Sequence, residues 1–239
     1  MKKDKIKEIF DNAAGSYDKT WEKLAAVNDS LHLLMGAVLA GIPEKARILC
    51  VGAGTGAELV YMAKKFPHWT FTAVDPSAAM LDVCRRRLKE MEMEDRCEFH
   101  TDYLENLSLP DDYDAATSIL VSQFIQDKEQ RTAFFRNIAA RLKPGGLLIS
   151  ADLSGDINSC EYEPMLHVWA SMMMDGNVQS QNIESIRQTH QSGISFLPPV
   201  EVAGIIGAAG FENPVQFYQM AFIHGWFCRK TNSFSPHGI

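Results

Sequence analysis

The stretch Ile48-Leu49-Cys50-Val51-Gly52-Ala53-Gly54-Thr55-Gly56-Ala57-Glu58 constrains the fold more than any other part of the chain. Four apolar residues in succession suit a strand buried on both faces. Three glycines follow at alternate positions, and Leu59, Val60, Ala63 and Phe66 then share one helical face. Strand, glycine turn and helix make the first unit of a nucleotide-binding α/β fold. Glycine is required where the chain bends sharply and a ligand approaches bare backbone, and the amides at the helix start face that ligand. Two spacings fit. Gly52, Gly54 and Ala57 match the G-x-G-x-x-A of dinucleotide sites, and Gly52, Gly54 and Gly56 match G-x-G-x-G. Glu58 would stand against a pyrophosphate in the first case, whereas an acid there does not oppose a cationic ligand.

The next elements extend the pattern. Thr70 to Val74 reads as a second strand ending at Asp75, 19 positions beyond Gly56, where doubly wound folds set an acid against ribose hydroxyls. A carboxylate accepts two such bonds at once. Asp75 before Pro76-Ser77 also suits a plain helix start. Met80, Leu81, Cys84, Leu88 and Met91 give that helix its buried stripe, and Arg85, Arg86, Arg87 and Lys89 its solvated face. Glu98 to Asp102 is a short third strand with an acid at its end, followed by Tyr103. Asp114 to Val121 is the fourth. Leu120 and Gln123 leave its carboxyl end, where open α/β sheets bind ligands. Asp127 and Gln130 form a capping box before a helix with Phe134, Phe135, Ile138 and Leu142 on its apolar side. Leu142-Lys143-Pro144-Gly145-Gly146 then turns into a fifth strand, Leu147 to Ala151.

The glycine turn, the acids at 75 and 102 and the L-K-P-G-G turn together resemble the class I S-adenosylmethionine-dependent methyltransferases over residues 46 to 152. The resemblance implies an α/β, doubly wound, mostly parallel seven-stranded sheet closed by a last helix and a β-hairpin. Pro199 to Gly210 matches that helix with a glycine stop, and Val215 to Tyr218 and Ala221 to Cys228 the closing strands. It implies S-adenosyl-L-methionine as cofactor, held by Gly52, Ala53, Gly54, Thr55 and Gly56 at the turn and by Asp75, Pro76 and Met80 after the second strand. Asp102 and Tyr103 would bracket the adenine, with Leu120 and Gln123 completing the site. The family often carries an acid two residues before the first glycine, which helps hold the cofactor's amino group. Here that position is Cys50, which leaves the contact to backbone carbonyls or to Asp11, Asp18 or Glu58.

Phe10-Asp11-Asn12-Ala13-Ala14-Gly15-Ser16-Tyr17-Asp18 resembles the F-D-x-x-A-x-x-Y-D segment of small-molecule methyltransferases, the ubiquinone and menaquinone biosynthesis group among them. That implies a segment folded over the cofactor with Tyr17 at its methionine end; an amphipathic helix with Tyr17 as a packing residue is the simpler account. Residues 1–44 read as an N-terminal helical cap on a single domain spanning 1–239, with Leu31, Leu33, Leu34, Val38 and Leu39 as an apolar face.

Residues 153–198 are too long for a plain connection and read as a helical insert. Met165, Trp169 and Met173 share a helical face there, as the apolar substrate wall of a lid, or as extra core or a dimer face. The region from Ser122 to Phe211 also resembles, loosely, carboxy-S-adenosylmethionine synthase, sharing Gln123-Phe124, the strand-five turn and the long helical insert in outline. That enzyme needs an arginine from the insert for a second carboxylate, and Arg187 is the only arginine in this one. Tyr162, His167, His190 and His224 are the candidate bases, each in a setting that suits a structural role, so no catalytic residue is assigned.

Composition narrows the partners. A net charge of −7 argues against a phosphate-tracking surface, so no nucleic acid is expected. Five scattered cysteines without a C-x-x-C suggest neither a disulfide scaffold nor a metal site. With no apolar leader after Met1-Lys2-Lys3-Asp4 and no long uncharged apolar run, the expectation is a cytoplasmic protein, monomer or homodimer, with no membrane contact. The function expected is methyl transfer to a small, partly apolar molecule. A carboxy-S-adenosylmethionine synthase, a non-catalytic cofactor sensor and an NAD-dependent oxidoreductase are the alternatives.

Overall fold

A computed structural model describes residues 3–174 and 176–232. The apolar run before the glycines forms β1 (Arg47–Val51). It is the third strand, beside the central β4, of a seven-stranded sheet of order β3-β2-β1-β4-β5-β7-β6, with β2 (Thr70–Val74), β3 (Cys97–His100), β4 (Tyr113–Ile119), β5 (Leu142–Leu153), β6 (Phe211–Met220) and β7 (Ile223–Lys230). β1 to β5 run parallel, and β7 is antiparallel to both of its neighbours. β3 is shorter than its sequence suggests and ends two residues before Asp102. The closing strands are longer, and Ala221 falls in the turn between them with φ +49°. The L-K-P-G-G segment lies within β5. The register steps from Tyr113–Leu142 to Ala115–Leu147, so residues 143–146 bulge out of the ladder.

Period-two alternation divides the core. Ile48 and Cys50 face α3 (Ala25–Val38), α4 (Ala57–Lys65) and α5 (Ala78–Glu90), packing with Met35, Leu59, Met62, Leu81 and Leu88. Leu49 and Val51 face the other side, where α6 (Lys128–Arg141) and α9 (Pro199–Ala208) bring Phe135, Ile138, Val202 and Ile206. Ser77 caps α5 through Met80 N–H, and Asp127 caps α6 through Gln130 N–H at 2.8 Å.

The N-terminal segment is helical as α1 (Lys3–Ala13), α2 (Tyr17–Trp21) and α3. The buried face of α3 is Val27, Leu31 and Met35, in steps of four, leading to Leu39; Leu33 and Leu34 point outward. Four-residue steps hold one face of a helix, whereas Leu33 sits roughly 200° around from Leu31 and Leu34, about 60° to the other side, lies at the edge of that face. The helical stretch Tyr17–Gly41 is long and apolar enough to cross a membrane by length and composition. In this fold its inner face packs against protein.

The insert is α7 (Tyr162–Met173), α8 (Ser180–Gln188) and a π-turn over Thr189–Gly193. It closes a third apolar cluster with Leu24, Val27 and Leu31 of the N-terminal helices and Phe222 and Ile223 at the β6–β7 turn. Trp169 is buried there, and Met165 and Met173 pack against it. The stripe belongs to the core because its facing surface is the N-terminal helices and hairpin rather than a ligand space.

Candidate functional site

Each glycine of the turn adopts the left-handed conformation, at φ +70°, +53° and +79° for Gly52, Gly54 and Gly56. The turn is tied to the neighbouring strand through Gly52 N–H and Ala53 N–H, which donate to Val74 O at 2.7 and 3.1 Å. The reason for glycine differs along it. A Cβ on Gly52 would run into the Val121 side chain, and one on Gly56 into the Cys84 sulfur. At Gly54 nothing lies closer than the Gly52 carbonyl at 3.9 Å, so the missing side chain leaves space open.

That space is part of a cavity of about 620 Å³ at the carboxyl ends of the parallel strands. Tyr17, Gly52, Gly54, Asp75, Pro76, Met80, Asp102, Tyr103 and Leu120 line it. The other residues assigned from sequence do not. Ala53 is packed in the core. Thr55 turns away, its hydroxyl donating to Asp18 at 2.8 Å and its carbonyl accepting from Arg87 at 3.1 Å. Gly56 is backed by Cys84. Gln123 is a buried tie, its side-chain oxygen accepting from Leu153 N–H at 2.6 Å. Met165, Trp169 and Met173 lie in the third cluster, outside the lining. Further walls come from Phe10, in the segment expected to fold over the cofactor, and from Phe124 and Ile125, which follow β4 at the ligand-binding end of the sheet; Ile6 of α1 and Phe134 of α6 were not foreseen as walls. The pattern Gln130, Ala133, Phe134, Asn137 shares one face of α6 and could have shown this, had that face not been read as core alone.

Asp75 is 8% exposed. Its Oδ2 accepts from Gly54 N–H at 2.9 Å and its Oδ1 from Ser77 N–H at 2.8 Å. Burial raises its carboxyl above the ordinary aspartate range against the pull of these donors. The residue is thus both a helix-start acid and a brace for the turn. Each oxygen keeps acceptor capacity toward the cavity. Asp102 accepts from Asn106 and from Tyr103 N–H, each at 2.7 Å, which holds its carboxyl below the usual range. Leu120 stands at φ +59° with its N–H donating to Ala151 O at 2.6 Å. A non-glycine residue in this region is strained, and such residues gather at ligand sites.

α1 closes the cavity from above. Ser77 Oγ donates to Asp11 at 2.6 Å, and with Lys7, the larger influence, holds that carboxyl below its ordinary value. Tyr103 Oη donates to Lys3 O at 3.0 Å, and Lys3 pairs with Glu105. Phe10 meets Phe124 edge-on at 5.3 Å and Tyr17 at 6.2 Å. Burial pushes the Tyr17 phenol up to about 12.

The candidate bases lie elsewhere. Tyr162 and His190 share a hydrogen bond of 3.0 Å in an aromatic box with Phe196 and Phe222, and His224 stacks on Trp226. Burial lowers both histidines to about 4. His167 is exposed on α7. Arg187 forks onto Glu163 and Glu184, away from the cavity, which removes the support for a second-carboxylate site. Among the described residues, no group of three His, Cys, Asp or Glu is placed to hold a metal ion.

Residues 48–146 match a family model described as a methyltransferase domain. The chain is 28% identical over 230 residues to a ubiquinone/menaquinone biosynthesis C-methyltransferase of Pseudomonas savastanoi pv. phaseolicola, covering 92% of this chain and 86% of that one. It is 27% identical over 166 residues to a malonyl-[acyl-carrier protein] O-methyltransferase of Priestia megaterium, covering 67% and 57%. The solved structure of a putative O-methyltransferase from Nostoc punctiforme shares the fold, with a TM-score of 0.67 at 15% identity over 93% of this chain and 60% of that one. Fold and domain together define a class I S-adenosylmethionine-dependent methyltransferase. The chain is such an enzyme, and S-adenosyl-L-methionine is its cofactor.

Proposed function

We propose that the chain transfers the cofactor's methyl group to a small, partly apolar acceptor enclosed between α1 and the loop after β4. One observation carries this reading: the cavity that contains the glycine turn, Asp75 and Asp102 continues without a break onto Ile6, Phe10, Phe124, Ile125 and Phe134. Its polar end fits the cofactor. Gly54 leaves room for close approach, Asp75 keeps free lone pairs for the ribose hydroxyls, and Asp102 offers an acceptor for an amino group on the adenine. Pro76, Met80, Tyr103 and Leu120 supply the surrounding walls. S-adenosylmethionine brings a methyl group already activated on a sulfonium, so the protein's part is to align the acceptor and exclude water. Phe10, Phe124 and Tyr17 are placed to do the excluding. Asp127 lines the acceptor end beside Ile125 and Gln130, but its carboxylate is held as the cap of α6 by Gln130 N–H, so no base is assigned, which suits an acceptor that is nucleophilic by itself. The relatives, a C-methyltransferase of ubiquinone/menaquinone biosynthesis and an O-methyltransferase of malonyl-[acyl-carrier protein], support a small accepting group and leave its atom open. A cytoplasmic location accompanies this reading.

The direct test is transfer of isotopic methyl from S-adenosylmethionine into fractionated small-molecule extracts. Label in an apolar fraction is expected, and label only in protein or RNA would overturn the reading. Asp75→Ala should weaken S-adenosylhomocysteine by about 1.5–3 kcal/mol, as expected for lost bonds to a charged group. Calorimetry showing equal affinities would leave Asp75 as a brace for the turn alone.

A further inference from the structure

Four carboxylates surround the glycine turn, and three of them are engaged. Asp75 accepts from Gly54 and Ser77. Asp11 pairs with Lys7 at 2.8 Å and accepts from Ser77 Oγ. Asp18 pairs with Arg87 at 2.6 Å and accepts from Thr55. The fourth is Glu58, in the first turn of α4 and only 7% exposed. It meets its own backbone N–H and, among the described residues, no cation. An ionised carboxylate held this way is costly, so a buried glutamate without a counter-charge points to a ligand that brings one.

Sheet order indicates which part of the ligand that is. On the proposed reading of the site, which this inference rests on, adenine lies at Asp102 after β3 and ribose at Asp75 after β2. The ligand then extends in the direction β3-β2-β1-β4. Its amino-acid end falls over the end of β1, where the turn passes into α4. Glu58 does not itself line the cavity, but its carboxylate interacts electrostatically with Tyr17 and Asp75, which do. The position that could have offered an acid from β1 itself is Cys50, fully buried. We propose that Glu58 receives the cofactor's α-ammonium group, doing from the first turn of α4 what no residue of β1 can do in this chain.

The titratable groups around Glu58 are Tyr17 of α2, Cys50 of β1, Asp75 after β2 and Cys84 of α5. None is a cation, and Arg87 is spent on Asp18. Burial first, with Asp75 adding, lifts the Glu58 carboxyl to about 7 in the free protein. Its folded value is therefore raised above the ordinary one. The stability it allows below pH 4.5 is lost as pH rises toward 7. Binding an ammonium reverses this: Glu58 ionises, a proton leaves to solvent, and the ligand keeps its charge.

The experiment is calorimetry on Glu58→Gln with S-adenosylhomocysteine and with methylthioadenosine, which lacks the amino-acid end. The variant should bind S-adenosylhomocysteine roughly 10- to 100-fold more weakly and methylthioadenosine unchanged. Its ligand-free Tm should rise above pH 7, since an uncharged isostere removes the cost of burial. The wild type should also reject, by a similar factor, the S-adenosylhomocysteine analogue with hydrogen in place of the amino group. Equal weakening of both ligands, a fall in ligand-free Tm, or an unchanged affinity for S-adenosylhomocysteine would each overturn the assignment. If wild type binds neither ligand, the reading of the cavity as the cofactor site fails first, and this inference with it.

Discussion

Gly54→Val should abolish binding of S-adenosylhomocysteine while the chain still folds. The two halves of that result have separate physical causes. A Cβ at this position meets no protein atom within 3.9 Å, so the added side chain enters the cavity rather than the core. It occupies the surface against which the cofactor must lie, and the expected loss is at least about 3 kcal/mol, or roughly 100-fold in Kd. The cost to folding comes from φ +53°, an unfavourable backbone for a valine, of about 1–3 kcal/mol. Gly56→Val is the informative contrast. There the side chain strikes Cys84 inside the core, so the fold should fail before binding can be measured. Near-UV circular dichroism and calorimetry on the two variants separate these cases. A Gly54 variant that binds with wild-type affinity would mean that the ligand does not cross the turn.

What the sequence made legible was whatever a local pattern specifies. Ile48 to Val51 and Thr70 to Val74 stand out because a parallel strand buried on both faces is a continuous apolar run. Asp127 and Pro199 mark helix starts through chemistry confined to one turn. The glycine turn and Asp75 are legible because the chain must bring them together within one βαβ unit. Elsewhere, periodicity tells that a face is buried but not against what. The Met165, Trp169 and Met173 stripe is buried as its spacing implies, yet it packs on Leu24, Val27 and Phe222 rather than around a ligand. Leu33 and Leu34 show the same difficulty in reverse, since leucines adjacent to a buried position need not share its face. The apolar end of the cavity was legible only in part: Phe10 and Phe124 lie in segments that read as facing the ligand, but Ile6 and Phe134 have the pattern of ordinary core residues.

Least legible of all was the polar centre beneath that wall, where the largest loss of stability is expected. Asp152→Ala should destabilise the protein by about 3–5 kcal/mol, the usual cost of stranding one partner of a buried ion pair. Arg131 and Asp152 are both wholly buried, with Nη2 3.2 Å from Oδ2. Around them the bonds are shared among four parts of the chain. Ser122 Oγ donates to Asp152 at 2.6 Å and accepts from Arg131 Nε at 2.9 Å. Gln123 N–H donates to Asp152 at 2.9 Å. Arg131 Nη1 donates to the carbonyl and hydroxyl of Ser195, at 3.1 and 3.2 Å. The centre therefore locks the loop after β4, which carries Phe124 of the cavity wall, to α6, to the end of β5 and to the stretch of the insert that follows its π-turn. Removing the carboxylate leaves a buried guanidinium and two donors without an acceptor. Nothing in an isolated Arg131 on a polar helix surface pattern, 21 residues from Asp152, signals this arrangement. Urea unfolding of Asp152→Ala, Arg131→Met and the double variant measures it. The double variant should cost clearly less than the sum of the two single ones, because each single change already forfeits the pair. A single Asp152 variant within about 1 kcal/mol of wild type, at the level of an exposed pair, would show that the centre is reached by water and does not fix the loop.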